Sequence, residues 1–304
     1  MATGGVITLT GKNITLKRIY GDSSTPPIDR IRIGIDDTTP TESDTDLGFS
    51  VPITPTKLNA CDTPSDWTGS TDADTPTTNT DTYKPGYGAP DNTSLNLGKS
   101  GTTEDFIYYD YNFTAIDMTD TDLLVWIYIA DDTTLSKLKT KSDGGLRIYV
   151  SSAGFSTDYL YWNAGGSDTL STGWNLIKVN INSTADGSSG STDTTSIAYV
   201  RLYLGVNNAS DTITLGNIIM DYWHYAVRYS DYEVMMVDGY PDYDEVNNIA
   251  TARYYISSTQ AIGYPICEVG EFNSNGEMLG RDVHNIMSKS QTDEIVYIIK
   301  HQIE

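Results

Sequence analysis

Short runs in which apolar and polar residues alternate recur along most of the chain, and alternation at period two predicts half-buried strands. The cleanest run is Arg30-Ile31-Arg32-Ile33-Gly34-Ile35, with three isoleucines on one face and two arginines on the other. Residues 6–10 and 14–20 are rich in Val, Ile and Thr and are read as two further strands. A polar stretch over 36–48, with Pro40 and many Thr, Ser and Asp, follows as a loop. The next block opens with a turn-rich stretch over 62–90 that holds Pro64, Pro76, Pro85 and Pro90. It reads as a long surface loop around a covered Trp67. Strands are then predicted over 94–97, 105–113, 123–129, 146–150, 158–163, 175–181, 198–206 and 213–225, with one helical turn at 132–141. In the run 123–129, Leu123, Val125, Ile127 and Ile129 share a face; in 198–206, Val200, Leu202, Leu204 and Val206 do. A third block has strands over 233–237, 249–257, 264–271 and 294–303, and a hairpin turn at Asn273-Ser274-Asn275-Gly276.

Many short strands with polar turns between them argue an all-β chain built on a jelly-roll sandwich. The first and third blocks are each too small to hold a core. Joined, they make one split β domain, residues 1–57 plus 230–304, into which the jelly roll of residues 58–229 is inserted. The alternative is three consecutive small domains.

Charge changes the picture next. The chain has 304 residues with 41 Asp+Glu against 19 Lys+Arg, a formal net charge of -22. Such a chain repels phosphate backbones and anionic lipid, so no nucleic-acid partner and no membrane insertion are expected. No apolar run approaches the roughly 18–20 residues that span a bilayer, and Met1–Thr10 carries no leader-like pattern. Two cysteines, Cys61 and Cys267, exclude a disulfide scaffold, and three histidines leave little room for His-based chemistry. GxSxG, HExxH, P-loop and dinucleotide signatures are absent. A non-enzymatic role with no required cofactor is expected.

Two patches resemble segments of tailed-virus surface proteins. The first is Tyr264-Pro265-Ile266-Cys267-Glu268-Val269-Gly270-Glu271-Phe272-Asn273-Ser274-Asn275-Gly276, an apolar strand ending in a Gly-containing turn. The second is the loop from Ile33 to Leu47, with its Pro40-Thr41 and Ser43-Asp44-Thr45. This resemblance implies a virion surface protein of the tail-fibre, baseplate-attached, capsid-turret or decoration type, with other virion proteins as partners. The middle block is similar to the jelly rolls used as carbohydrate-binding modules. That likeness is carried by Trp67, the run 123–129, Ser171-Thr172-Gly173-Trp174-Asn175, Thr192-Asp193-Thr194-Thr195-Ser196-Ile197 and Ile218-Ile219-Met220-Asp221-Tyr222-Trp223.

Sugar recognition needs aromatic faces for C–H stacking and polar forks for hydroxyls. Trp126, Tyr128, Tyr199, Arg201 and Tyr203 fall on the outer faces of their strands and form the candidate glycan set. On solvated sheets the same residues also serve simply as cross-strand pairs. Calcium takes about six to eight oxygens. Jelly rolls of this likeness imply a structural ion between the long loop and the last strand, which nominates Asp62, Asp66, Asp72, Asp74 and Asp221. The expectation is therefore a homo-oligomeric virion protein, trimeric in the favoured form, that projects its jelly roll toward host surface glycan. A secreted cellular carbohydrate-binding protein and an extracellular filament subunit are the alternatives.

Overall fold

The computed structural model describes residues 5–84 and 92–302; Pro85 and Pro90 of the expected loop lie outside them. The protein is all-β, and its chain divides into two compact units. One consists of Met1–Pro55 with Tyr229–Glu304, the other of Thr56–Arg228. The second interrupts the first along the sequence.

The unit Thr56–Arg228 is a jelly-roll sandwich. Among the described residues one sheet runs in the order Gly187–Ser189, Tyr159–Gly165, Leu146–Ser151, Ile197–Gly205, Phe106–Ile116, Trp67–Gly69. Its facing sheet runs Gly173–Asn180, Thr121–Ile129, Ile213–Val227, Ser94–Lys99, Thr77–Asn79, with Thr56–Asn59 also paired to Ile213–Val227. The chain crosses repeatedly from one sheet to the other, so most pairings join strands distant in sequence, the pairings of Leu146–Ser151 with Tyr159–Gly165 and of Thr77–Asn79 with Ser94–Lys99 being between consecutive strands, and all these pairings are antiparallel. Period-two alternation drives this arrangement: one set of side chains fills the space between the sheets and the other faces out. Leu123, Val125, Ile127 and Ile129 meet Ile148, Val150, Val200, Leu202 and Leu204 in a single core. Trp67 is buried at its edge, stacked on Tyr111 at 5.2 Å and tilted against Trp223 at 5.9 Å. The helical turn expected at 132–141 is the short helix Asp132–Lys137, capped by the Asp131 carboxylate, which accepts from Thr134 N at 2.7 Å.

The other unit holds two sheets. The larger runs Val6–Ile7, Met278–Ser288, Pro265–Asn273, Ile28–Gly34, Val234–Met235, with Ser50–Val51 on the far end of Ile28–Gly34. The smaller runs Asp242–Asp244, Ile249–Ile256, Ile295–Gln302. Two sequence expectations are corrected here. Residues 9–10 and 14–19, read as parts of the strands 6–10 and 14–20, fall in the helix Leu9–Ile19, and of those two expected strands Val6–Ile7 alone pairs as one. The local reason is a cap. The Thr8 hydroxyl accepts from Gly11 N at 2.9 Å and donates to Met278 O at 2.8 Å, starting a helix where β-branched residues suggested extension. Gly11 then lies so close to Leu279 that a Cβ would stand 1.9 Å from its carbonyl oxygen, which fixes the helix against the sheet. The second correction is the strand Met278–Ser288, which went unpredicted because its Gly, Asp, His and Asn break the alternation.

The loop over 36–48 is tied down by charge. Arg281, buried itself, donates to Glu268 Oε1 at 2.6 Å, Asp44 Oδ2 at 2.8 Å and Asp36 Oδ2 at 3.2 Å. Burial on its own would raise Asp44, yet hydrogen bonds from Thr41 and Arg281 bring it down to about 2. Between the two sheets of this unit, Glu271 Oε1 accepts from Tyr254 OH at 3.1 Å and Glu271 Oε2 meets His301 Nε2 at 2.6 Å. Cys61 and Cys267 are separate buried thiols, one in each unit.

Candidate functional site

The outer face of the sheet containing Ile197–Gly205 is an aromatic floor. Register builds it in rows across the strands. In one row Tyr161 lies opposite Tyr149, Tyr149 opposite Arg201, and Arg201 opposite Asp110. In the next, Asn163 faces Arg147, Arg147 faces Tyr203, and Tyr203 faces Tyr108. The four strands span about 14 Å, three interstrand spacings of about 4.8 Å. Every residue named sits at an outward position, because its neighbours in sequence (Ile107, Tyr109, Ile148, Val150, Leu202, Leu204) point into the core.

Ring contacts tie the floor together. Tyr149 stacks on Tyr161 at 4.9 Å between centroids and lies 5.9 Å from Tyr203 and 5.5 Å from Tyr159. Phe106 extends the floor, stacked on Tyr203 at 5.2 Å. Tyr149, at 8% exposure, is the covered centre, while Tyr108, Tyr159, Tyr161, Tyr199 and Tyr203 are half-buried around it. Such partly open rings offer apolar faces with hydroxyls at their rims. Burial pushes the Tyr203 phenol up to about 12, so it is neutral and can both donate and accept at ordinary pH.

Two guanidinium groups lie within the floor. Arg201 grips Asp110 with two hydrogen bonds, 2.6 Å to Oδ1 and 2.8 Å to Oδ2. Its Cζ lies 3.7 Å from the Tyr108 centroid and 4.2 Å from that of Phe155. Arg147 donates to Asn163 Oδ1 at 2.8 Å and lies 4.8 Å from the Tyr161 centroid and 5.2 Å from that of Tyr203. Among the described residues no carboxylate lies within ion-pair distance of Arg147. Space for these groups comes from glycine: a Cβ at Gly187 would stand 2.3 Å from the Tyr161 ring, and one at Gly144 would stand 2.1 Å from the Arg147 guanidinium.

The five residues nominated from sequence divide between the two sheets. Tyr199, Arg201 and Tyr203 are on the floor just described. Trp126 and Tyr128 are on the outer face of the opposite sheet, so they cannot share a ligand surface with the other three. Trp126 is covered: the Lys84 ammonium sits 3.9 Å over its ring, and Lys84 N donates to Asp221 Oδ2 at 2.6 Å. Burial brings the Lys84 ammonium down to about 8. Tyr128 packs on Trp174 at 5.4 Å. Sequence reading missed Arg147, Tyr149, Tyr161, Asp110 and Phe155. A signal was present for two of them, since Arg147 and Tyr149 alternate with Leu146, Ile148 and Val150.

The five aspartates nominated for calcium do not gather. Asp62 accepts from Thr63, Asp66 from Asn59, and Asp74 from Ser100. Asp72 Oδ2 accepts from the backbone of Thr103 at 2.7 Å and Glu104 at 2.6 Å, with the buried Lys99 ammonium 3.7 Å away. Among the described residues no group of three or more His, Cys, Asp or Glu could hold a metal ion.

No protein-family model and no curated protein matches the sequence. Solved structures similar to this chain include a family 11 carbohydrate-binding module from Clostridium thermocellum in complex with a β-1,3-1,4-mixed-linked tetrasaccharide. It is 12% identical, with 58% of this chain and 96% of that one covered and a TM-score of 0.39. An exo-β-agarase is similar over 57% of this chain and 25% of its own length, at 11% identity and a TM-score of 0.39. A third is a carbohydrate-binding module of the β-sandwich superfamily, at 12% identity, 66% and 86% coverage and a TM-score of 0.35. The fold assignment rests on the strand pairings above and not on these likenesses.

Proposed function

We propose that the unit Thr56–Arg228 is a glycan-binding module whose ligand lies on the aromatic floor. The observation that carries this reading is the register itself. Half-buried Tyr161, Tyr203 and Tyr108 from three strands are brought to one face around the covered Tyr149 of a fourth, with Arg147 and Arg201 between them. A ring-lined floor across several strands suits an extended sugar chain better than a single terminal sugar. Pyranose faces would lie on the half-open rings, and hydroxyls would meet Arg147, Asn163 and the tyrosine rims. The one carboxylate in the two rows is Asp110, both of whose oxygens are held by Arg201. Glycoside hydrolysis needs a pair of carboxylates, so binding without cleavage is the role this face supports. The virion location is carried by the sequence resemblance of the other unit, and the fold adds nothing to it.

The test is affinity electrophoresis of the full chain through gels containing soluble polysaccharides, neutral (β-glucans, xylan, agarose-type galactans) and acidic (polygalacturonate, alginate). Retardation by at least one of them is expected, with loss of retardation in Tyr161→Ala and Arg147→Ala and retention in Tyr128→Ala. If Tyr128→Ala abolishes retardation and Tyr161→Ala leaves it intact, the binding face is the other sheet.

A further inference from the structure

The helix Leu9–Ile19 is turned with its apolar side outward. At about 100° per residue, Leu9, Leu16, Ile19 and the capping Tyr20 share one stripe, and Gly11 and Ile14 are the buried side. The stripe is open to solvent, with Leu16 53%, Ile19 68% and Tyr20 86% exposed. The helix is also the most basic element of an acidic chain. Lys12, Lys17 and Arg18 fall within it and no acid does. Lys12 pairs with Glu42, hydrogen bonds from Ser24 and, more weakly, Lys17 hold the Asp22 carboxyl below its ordinary value, and Arg18 donates to Thr25 O at 3.0 Å, so the three cations of the helix meet two nearby acids.

The same unit carries a patch of the opposite kind. Asp242–Asp244 is an edge strand with both faces exposed, and the turn that follows it continues the exposure. Tyr243 and Val246 are 68% and 90% exposed, and Asp238, Asp242, Asp244 and Glu245 surround them. No cation pairs with these four carboxylates among the described residues. Each patch thus offers apolar surface with a surplus of charge of one sign, and each lacks what the other supplies.

We propose that these are the two halves of one interface between copies of this chain, the helix stripe of one copy covered by the Asp242–Val246 hairpin of the next. The contact is heterologous, so every copy presents both halves and assembly proceeds head to tail into a ring or a filament. A lipid surface is the poorer occupant, because a chain of net charge -22 is repelled by anionic headgroups.

Sedimentation velocity of the full chain at about 50 µM and about 50 mM salt measures this, with salt chosen low so that surface charges are little screened. Oligomers are expected, and raising the salt should weaken them. Lys12→Glu with Lys17→Glu should reduce association roughly tenfold or more, as should Asp242→Lys with Glu245→Lys. All four residues are exposed, and Asp244, which accepts from Val246 N and from Asn247 N and Nδ2 in the turn, is left in place, so circular dichroism should be unchanged. The two variants mixed one to one should assemble again, because the reversed helix of the first meets the reversed hairpin of the second and the native helix of the second meets the native hairpin of the first. A monomeric wild-type chain overturns the proposal. So do two monomeric variants that stay monomeric when mixed, which would assign the patches to different partners.

Discussion

Gly187→Ala should disturb the aromatic floor from beneath without touching its chemistry. Gly187 faces Tyr161 across the pairing of Gly187–Ser189 with Tyr159–Gly165. A methyl there would stand 2.3 Å from Tyr161 Cε1 and 2.6 Å from Cζ and from the hydroxyl oxygen. Comfortable carbon contacts begin near 3.5 Å, so the ring must withdraw by about 1 Å. The backbone at Gly187 does not need a positive φ, so alanine is tolerated by the chain itself. What is lost is the stacking of Tyr161 on Tyr149 at 4.9 Å and the position of the Arg147 guanidinium 4.8 Å from the Tyr161 centroid. An aromatic pair contributes about 0.5–1.5 kcal/mol and an exposed cation–π contact about 0.5–1. Together they predict a loss of about 1–2.5 kcal/mol, a Tm lower by about 2–10 °C for a domain of this size. Affinity for the retained polysaccharide should fall up to about tenfold if the ligand lies on this ring. Calorimetry and affinity electrophoresis read the two quantities separately. The decisive measurement is the cycle with Tyr161→Ala. In that background the added methyl has nothing to displace, so Gly187→Ala should cost almost nothing further. Undiminished effects of Gly187→Ala in the Tyr161→Ala background would refute the reasoning, as would an unchanged Tm and affinity in the single variant.

Three further outcomes follow from the other unit. Arg281→Met should destabilise it by about 3–5 kcal/mol in urea melts, because Glu268, fully buried, loses the cation that it faces at 2.6 Å; a loss below about 1 kcal/mol would show that Gly48 N, also bonded to Glu268, suffices. The hydrogen bond to Glu271 raises His301 above its ordinary value. The sign is that of a group stabilised when charged: its contribution is complete below about pH 6.5 and is lost as pH rises through the higher folded value. Stability measured between pH 6 and 9, for which His301→Gln serves as the control, should fall more in the wild-type chain than in the variant. Gly11→Ala should displace the helix Leu9–Ile19 from the sheet, since the new Cβ would stand 1.9 Å from Leu279 O; a destabilisation of about 2 kcal/mol or more, or loss of helical signal, is expected.

The split of the unit into residues 1–55 and 229–304 accords with how chain segments too short for a core must find partners elsewhere. The middle block's alternation was strong enough to give strands and faces together. Leu202 and Leu204 point inward and Arg201 and Tyr203 outward for the same reason, the two-residue period of a strand. Where that period is broken, by the glycine and polar residues of Met278–Ser288, the strand was invisible. At Leu9–Ile19 a β-branched composition pointed to extension, and a cap plus one close glycine–carbonyl approach overrode it.

The sequence by itself determined that the chain is β-rich, acidic and alternating, and which side of each well-patterned strand is apolar. Those are local properties, set by neighbours one and two residues away. Only the tertiary structure decided which outward faces belong together. Trp126 and Arg201 are both outward in their own strands, but the jelly-roll crossing sends them to opposite sheets. Arg147, Tyr149 and Tyr161 join Arg201 although tens of residues separate them along the chain. Strand order and register are fixed by long-range pairing, and period two carries no record of the partner.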